Sequence, residues 1–362
     1  LYKNFCRFKN NLNKQKKTIM KKIIAIMSLA VFGFSFGQEE ESNSKFNFNG
    51  SVDAYWRTNL NSPNDEVNMG TLPYAPPSSF VNTPGFSLGM ANLVVSYEGE
   101  RVGFVADLAY GPRADQAINP NGAQNSSAIN QMYMYWNVNE NTTVTMGRFN
   151  TFIGFERISP VDNFNYSMSH AFTFGPRNHN GLMFDFKYEN DWGLKVAIMN
   201  PMETTDSNNT GDYSVGFQVS NGNLKLGFVH SQKSRFIDLL GGFDISESFY
   251  MGLNAQFANY KDGELNGRID DNYTSFSIYP QITSSETFSW GMRLEYISFG
   301  DPFDNDDINV LSPTLTANIQ IDDITIKPEL RLDSSNQDLF INNDASPNRS
   351  LSSFVLGAVY KF

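Results

Sequence analysis

Charged side chains occupy alternate positions in several segments of this sequence. Lys327, Glu329 and Arg331, for example, alternate with Pro328 and Leu330. Successive side chains of a β-strand point to opposite faces, so these three charges share one face. By the same alternation, the charged residues on the polar faces of the predicted strands are Asp107, Asp185, Lys187, Lys195, Lys225, Arg293, Glu295, Lys327, Glu329, Arg331 and Asp333. Such a face either lines a water-filled lumen or forms ion pairs that stiffen a wall, and both interpretations remain open.

A second concentration of charge lies in the segment 148–180. Charged residues there are interleaved with Phe149, Phe152, Phe155, Phe164, Tyr166, Phe172 and Phe174. A loop this aromatic is expected to pack against something, and the inner wall of a wide barrel would be available. In that position the segment would narrow a pore. The charges expected at this constriction are Arg148, Glu156, Arg157, Asp162 and Arg177. The alternative is a loop folded over the barrel rim or against a neighbouring subunit.

Other chemistry is poorly supported. His170, His179 and His230 lack a metal-ligand spacing such as His-Glu-x-x-His, and no P-loop or dinucleotide pattern occurs. Cys6 is the only cysteine, and it lies in the part of the chain that we expect to be removed. We therefore expect no enzyme activity, no cofactor and no metal.

The elements that must position these charges are strands. Period-two alternation recurs in segments of about ten residues, the length of a tilted membrane strand. At the end of the chain Phe354, Leu356, Ala358, Tyr360 and Phe362 share one face, which should meet lipid. A strand beginning at Phe46 should close a barrel with it. The intervening strands are predicted near 88–98, 101–110, 128–137, 143–152, 181–189, 192–200, 213–221, 223–231, 236–245, 249–258, 273–281, 287–298, 310–321 and 324–333.

These segments predict an all-β, transmembrane antiparallel barrel of about 16 strands. The connections alternate between short ones and mostly longer polar ones, which we assign to periplasmic turns and extracellular loops. Fourteen or eighteen strands are the neighbouring alternatives. A soluble β-sandwich would not explain the aromatic terminal strand or the alternation of loop lengths.

The N-terminal region has the pattern of an export signal. Lys21 and Lys22 precede an apolar run that ends near Gly37, with an acidic stretch following. We expect residues 1–19 to be an upstream extension that is not native, 20–37 to be a signal peptide, and 38–362 to be a single barrel. The chain has 27 Lys and Arg, of which eight precede Gln38, against 38 Asp and Glu, so the exported part would carry 19 minus 38, or −19. This acidity argues against binding nucleic acid.

Two stretches carry a family resemblance: GRFNTFIGFERISPVDNFNYSMSHAFTFGPRNHNG (147–181) and the ending LSSFVLGAVYKF. Both resemble the OmpL-like family of β-barrel porins. The resemblance covers nearly the whole exported chain and implies an outer-membrane barrel reached through the periplasm. It implies lipid, lipopolysaccharide and the barrel-assembly machinery as partners, with a homotrimer as one candidate assembly. The final phenylalanine is shared by many barrels as an assembly signal, here assigned to Phe354, Leu356, Tyr360 and Phe362.

Three functions follow as expectations. The first is passive diffusion of small hydrophilic solutes and ions through a water-filled lumen. The second is a channel selective for sugars or oligosaccharides, in which Tyr133, Tyr135, Tyr250 and Tyr279 offer stacking faces. The third is a non-conducting structural or adhesive barrel that acts through its external loops.

Overall fold

The computed structural model describes residues 45–64, 80–118, 128–201, 208, 210–260, 272–300 and 307–362. The predicted upstream extension and signal peptide lie outside these residues. Within them, sixteen antiparallel strands close into one barrel, as predicted from the alternation. No helix among these residues is long and apolar enough to cross a membrane.

The first eight strands are β1 (Phe46–Asn59), β2 (Gly85–Glu98), β3 (Val102–Tyr110), β4 (Ile129–Asn139), β5 (Thr142–Asn150), β6 (Asn178–Lys187), β7 (Trp192–Met199) and β8 (Ser214–Asn221). The rest of the barrel is β9 (Leu224–His230), β10 (Ser234–Ser246), β11 (Phe249–Tyr260), β12 (Asn272–Ser285), β13 (Phe288–Phe299), β14 (Ile308–Ile321), β15 (Ile324–Ser335) and β18 (Ser350–Lys361). Each predicted strand matches an observed one, with ends that differ by a few residues.

Three short elements were not predicted. Helices α1 (Pro112–Ile118) and α2 (His170–Phe174) lie in connections that the sequence analysis treated as loops. The hairpin of β16 (Phe340–Ile341) and β17 (Pro347–Asn348) lies in the predicted polar loop 334–350. Elements this short carry too few residues to show a periodic pattern.

The barrel closes by pairing its first and last strands. Ser51 of β1 lies opposite Lys361 of β18, and the register runs on to Asn59 opposite Ser353. Phe362 extends the ladder, because its N–H and C=O each bond with Gly50 at 3.1 Å. Closure leaves no unpaired sheet edge, which a membrane barrel requires.

The two ends of the barrel differ in their connections. At one end, here called the short-turn end, the strands are joined by residues 99–101, 140–141, 188–191, 222–223, 247–248, 286–287 and 322–323. At the other, the long-loop end, the connections are longer, except for the tight link 231–233 between β9 and β10. β1 begins and β18 ends at the short-turn end. This end is the periplasmic side in barrels of this kind.

Alternation separates two environments. Leu356, Ala358 and Tyr360 of β18 are exposed on the outer face, whereas Val355, Gly357 and Val359 are buried on the inner face. The outer surface carries further exposed apolar residues such as Leu315 and Leu330, as a lipid-facing surface should. The buried inner face shows that something fills part of the barrel interior.

Candidate functional site

The connection between β5 and β6 folds into the barrel. This segment, 151–177, is here called the inward loop. Its residues bond with the inner faces of strands far apart around the barrel, including Gln218 of β8, Asp238 of β10 and Glu329 of β15. Tyr166 reaches Asp53 of β1. The inward loop therefore spans the interior instead of folding over the rim.

Carboxylates of the wall hold the backbone of the inward loop. Glu329 accepts hydrogen bonds from the N–H groups of Tyr166 at 2.7 Å and Ser167 at 3.1 Å. Glu295 accepts from His170 and Ala171, both at 2.8 Å. Two strands thus each bind two consecutive amides of the loop, and charge-assisted bonds of this kind are among the stronger hydrogen bonds in proteins.

Wall cations hold the carbonyl groups of the same segment. Arg293 donates to the Ser167 carbonyl oxygen at 2.7 Å and also pairs with Glu156 of the inward loop at 2.7 Å. Arg331 donates to the Met168 carbonyl at 2.6 Å. Lys327 donates to the Pro160 carbonyl at 2.8 Å. The inner faces of β13 and β15 make these bonds, and from β14, which lies between them, Asn318 donates to the Phe164 carbonyl at 3.2 Å. We call the inner faces of these three strands the anchoring wall.

The anchoring wall corrects one expectation from the sequence. Arg293 and Glu295 are 0% exposed and Glu329 is 1% exposed. These side chains point inward, but the inward loop covers them, so they do not line water. Arg331 and Asp333 are also buried and bond with each other and with His170. Stiffening ion pairs, the alternative interpretation, describe this part of the barrel better.

Glycines of the wall receive the apolar side chains of the inward loop. A Cβ added to Gly252 would lie 2.5 Å from the Phe155 ring, and one added to Gly357 would lie 2.6 Å from the Tyr166 ring. The same holds at three further positions, where Gly216 meets Phe152, Gly227 meets Ile153 and Gly291 meets Phe164. We call these five glycines the glycine sockets. Only a residue without a side chain permits so close an approach.

Tyr166 joins the inward loop to β1 and helix α1. Its hydroxyl donates to Asp53, and the Arg113 guanidinium lies 4.8 Å from the centre of its ring. Arg113 also donates to the Tyr166 carbonyl at 2.8 Å. Burial is the main reason that the pKa of Tyr166 lies well above its ordinary value, so its hydroxyl stays a donor. Neither Arg113 nor Asp53 was predicted to be a site residue, although Asp53 lies on the polar face of the predicted first strand.

Three cavities border the inward loop. The side cavity, about 440 Å³, lies between the loop and strands β9 to β12. The deep cavity, about 270 Å³, lies between the loop and strands β4 to β10. The end cavity, about 710 Å³, reaches the short-turn end near Asp323 and Phe362. Arg157, Lys225 and Leu240 line both the side and deep cavities, which therefore adjoin.

The five predicted constriction charges are not all brought together. Arg157 lines the side and deep cavities, and Asp162 lines the side and end cavities. Glu156 borders the side cavity, but its carboxylate is bonded to Arg293 and to Ser169. Arg157 and Asp162 are thus the two of the five whose charge faces open space at these cavities.

Arg148 and Arg177 lie elsewhere. Arg148 donates to the Ile118 carbonyl of α1 at 3.3 Å, and it lines none of the three cavities. Arg177 donates to the Thr173 carbonyl at 3.0 Å and lies 5.9 Å from the ring of Phe80. Burial lowers the pKa of Arg177 to about 10. Both arginines tie loops together at the long-loop end.

The remaining predicted charges lie outside the anchoring wall, on β3, β6, β7 and β9. Lys195 of β7 pairs with Asp185 of β6, and both are partly exposed. Lys225 of β9 is half-buried beside the deep and side cavities. Lys187 lies near the short-turn end, and Asp107 is buried among Asn92, Asn130 and Gln131. Asp238, which the sequence analysis did not name, is 0% exposed and binds the Gly154 N–H.

The four tyrosines proposed to stack on sugars have different surroundings. The Tyr279 ring is stacked against Phe155 with centroids 4.3 Å apart, so one of its faces is occupied. Tyr135 packs over Gly103. Tyr133 lines the deep cavity and Tyr250 lines the side cavity. Tyr279 also lines the side cavity, whereas Tyr135 lines none of the three cavities.

Apolar side chains fill the barrel toward the long-loop end. One buried cluster joins Phe152 and Ile153 of the inward loop to Phe236, Ile297 and Phe299 of the wall. A second joins Ile158 and Met168 of the loop to Ala114 and Ile118 of α1. In the part of the chain that the structure describes, no group of three or more His, Cys, Asp or Glu side chains could hold a metal ion.

A barrel with sixteen strands, a lipid-facing exterior and an inward loop defines the class of outer-membrane porins. The sequence matches the family described as "Putative beta-barrel porin-2, OmpL-like" over residues 45–362, so the chain belongs to that family. The resemblance stated from the sequence is therefore confirmed. No curated protein matches the sequence.

Solved structures of outer-membrane channels share the fold. The DcaP channel of Acinetobacter baumannii matches with 12% identity and a TM-score of 0.55, covering 90% of this chain and 99% of that chain. OprB of Pseudomonas putida matches with 11% identity and a TM-score of 0.57, covering 88% and 94%. A trimer form of OmpT of Vibrio cholerae matches with 9% identity and a TM-score of 0.51, covering 88% and 99%. The family is one of porins, and the fold that these structures share is that of an outer-membrane barrel.

Proposed function

We propose that this protein is a porin through which small hydrophilic solutes and ions diffuse passively between the inward loop and strands β4 to β12. The observation that carries the proposal is the asymmetric attachment of the loop. Its polar anchors concentrate on the anchoring wall, whereas the side and deep cavities adjoin on the other side. Charged and amide groups line these cavities, as a route for hydrated solutes requires.

Conductance of the purified, refolded protein in a planar bilayer tests this proposal. We expect discrete single-channel steps that are small for a sixteen-stranded barrel, because the inward loop occupies much of the interior. Swelling of proteoliposomes in sugars of increasing size then gives the size limit. Folded protein, recognised by a heat-dependent change in gel mobility, that gives no steps above a protein-free bilayer would refute the diffusion function.

A non-conducting structural barrel is the second candidate, because apolar clusters fill the long-loop half of the interior. The same conductance experiment separates the two functions. The sugar-selective channel has less support, because Phe155 covers one face of the Tyr279 ring and Tyr135 lines none of the three cavities. It would be recognised by concentration-dependent block of the conductance by one oligosaccharide.

Export and assembly form part of the same proposal. We propose that the chain is cleaved after Gly37, crosses the periplasm and is inserted by the barrel-assembly machinery into a membrane of lipid and lipopolysaccharide. N-terminal sequencing of protein from outer-membrane fractions should begin at Gln38, and a start at Met20 would contradict cleavage. A homotrimer, the assembly named for OmpT of Vibrio cholerae, is tested by the mass of the detergent-solubilised protein.

A further inference from the structure

We infer that this porin holds a binding site for small oxyanions, such as carboxylates or phosphates. Three positive side chains form it, two where the side and deep cavities adjoin and one beside them in the deep cavity. We call Arg157, Lys195 and Lys225 the cationic neck. The inference deepens the proposed function by naming the class of solute that the passage favours.

The cationic neck lies in the path of a solute that crosses these cavities. Arg157 of the inward loop and Lys225 of β9 line both cavities, and Lys195 lines the deep cavity. A solute that moves from one cavity to the other therefore passes the guanidinium and the ammonium groups. All three residues are only partly buried, and Arg157 also donates a long hydrogen bond to the Thr151 carbonyl at 3.4 Å.

The positive charges of the cationic neck act on one another. Arg157 lies close enough to Lys225 to act on its charge, and Lys225 acts on Lys195 in the same way. Like charges inside a barrel repel more strongly than in bulk water, because the surroundings are less polarisable. A bound anion between them would remove this repulsion and gain charge-assisted hydrogen bonds.

The neighbouring acids neutralise the cationic neck only in part. Glu156 is bonded to Arg293. Asp238 binds the Gly154 N–H and Asn254, and its carboxylate also acts on Arg157 without forming an ion pair with it. Asp185 pairs with Lys195, but no ion pair within 4.0 Å engages Lys225 or Arg157 among the residues described. Asp162 lines the side and end cavities but not the deep cavity. One ammonium and one guanidinium are thus left to face the solute.

The contrast with the whole chain supports a specific role. The exported part is strongly acidic, with 38 Asp and Glu against 27 Lys and Arg in the full sequence. An acidic surface repels anions from the barrel mouth, so a positive passage would be needed for anions to compete with cations inside. Lys and Arg clusters are the usual means by which pores select anions and phosphates.

Bilayer recordings under a potassium chloride gradient, with and without inorganic phosphate, test the inference. We expect the wild-type channel to prefer chloride over potassium and to be blocked by phosphate. Lys225→Gln and Arg157→Gln should each shift the reversal potential toward cations and raise the half-blocking phosphate concentration roughly tenfold, the effect of losing one charge-assisted hydrogen bond. Lys225→Arg should keep both properties. Lys45→Gln, an exposed lysine just before β1 that lines none of the three cavities, is the control and should change neither.

Two results would overturn the inference. One is a conducting channel whose preference and phosphate block are the same in Lys225→Gln as in the wild type. The other is the absence of phosphate binding by folded wild-type protein in detergent, measured by equilibrium dialysis. Binding that is lost in Lys225→Gln without any conductance would keep the oxyanion site and refute the diffusion function instead. A heat-dependent mobility change shows that each variant is folded.

Discussion

The anchoring wall and the cationic neck use the same kinds of residue for different ends. In the anchoring wall, Arg293 and Glu329 are fully covered and bind the backbone of the inward loop. In the cationic neck, Lys225 lies on an equally regular strand but faces a cavity. The difference is not residue type or strand position. It is whether the inward loop lies on top.

This contrast separates charges that hold the structure from charges that can meet a solute. A buried ion pair is costly to break, because removing one partner leaves the other desolvated. An exposed charge contributes little to stability but acts on passing ions. We therefore expect substitutions in the anchoring wall to change stability and substitutions in the neck to change selectivity.

Arg293→Met should have the largest effect. It leaves Glu156 and the Ser167 carbonyl without their buried partner, at a cost of about 3–5 kcal/mol in the free energy that holds the inward loop in place. The released loop should make Arg157 and Arg177 accessible to trypsin and increase the single-channel conductance. Lys45→Gln serves as the control. Wild-type resistance to trypsin together with wild-type conductance would contradict the anchoring role.

Gly252→Ala tests the glycine sockets and should have the next largest effect. The new methyl group would lie 2.5 Å from the Phe155 ring, and overpacking of this kind costs about 1–3 kcal/mol. Urea unfolding should show the loss. Adding Phe155→Leu should restore part of it, because the smaller side chain leaves room for the methyl group. Losses that simply add in the double variant would show that the two residues are not coupled.

Asp185→Asn tests the role of the cationic neck, because Asp185 pairs with Lys195. The Asp185–Lys195 pair is partly exposed, so its removal should change stability by about 1 kcal/mol or less. It frees Lys195, and the reversal potential should move toward anions. A shift toward cations, or a loss of stability comparable with that of Arg293→Met, would argue against the division between the two regions.

Deletion of Phe362 should have the smallest effect on the folded barrel. The residue adds two backbone hydrogen bonds to Gly50, and its side chain is 53% exposed. If it is part of the assembly signal, the deletion should lower the amount of inserted protein in cells while refolding in detergent stays efficient. Phe354→Leu, within the same strand, is a milder comparison. Equal amounts in the outer membrane would remove Phe362 from the signal.

Much of the fold was predictable from the sequence. The alternation placed all sixteen strands to within a few residues of their observed ends, because the two faces of a membrane strand meet different surroundings. Near Met132 and Met146 the pattern was ambiguous, since aromatic or methionine side chains occur on both faces there. The structure shows Met132 and Met146 exposed on the outside, with Tyr133 lining the deep cavity.

The candidate site was predictable only in part. The aromatic content of the inward loop predicted that it packs inside, and Arg157 and Asp162 do face the cavities. The assignment of Arg148 and Arg177 to the same constriction was not matched by their positions. Arg148, on β5, contacts Ile118 of α1, and Arg177 contacts Thr173. Alternation gives the face on which a strand residue lies, but it does not indicate which loop or helix will cover that face.

The sequence by itself determined the strands, their faces and the barrel, because alternation is a local property that one strand reveals alone. The tertiary structure alone decided which inward charges remain in water. That outcome depends on where the inward loop lies, and its bonds join residues as distant in the chain as Tyr166 and Glu329, 163 positions apart. Burial by a distant segment removes a charge from solvent without changing the local pattern in which it occurs.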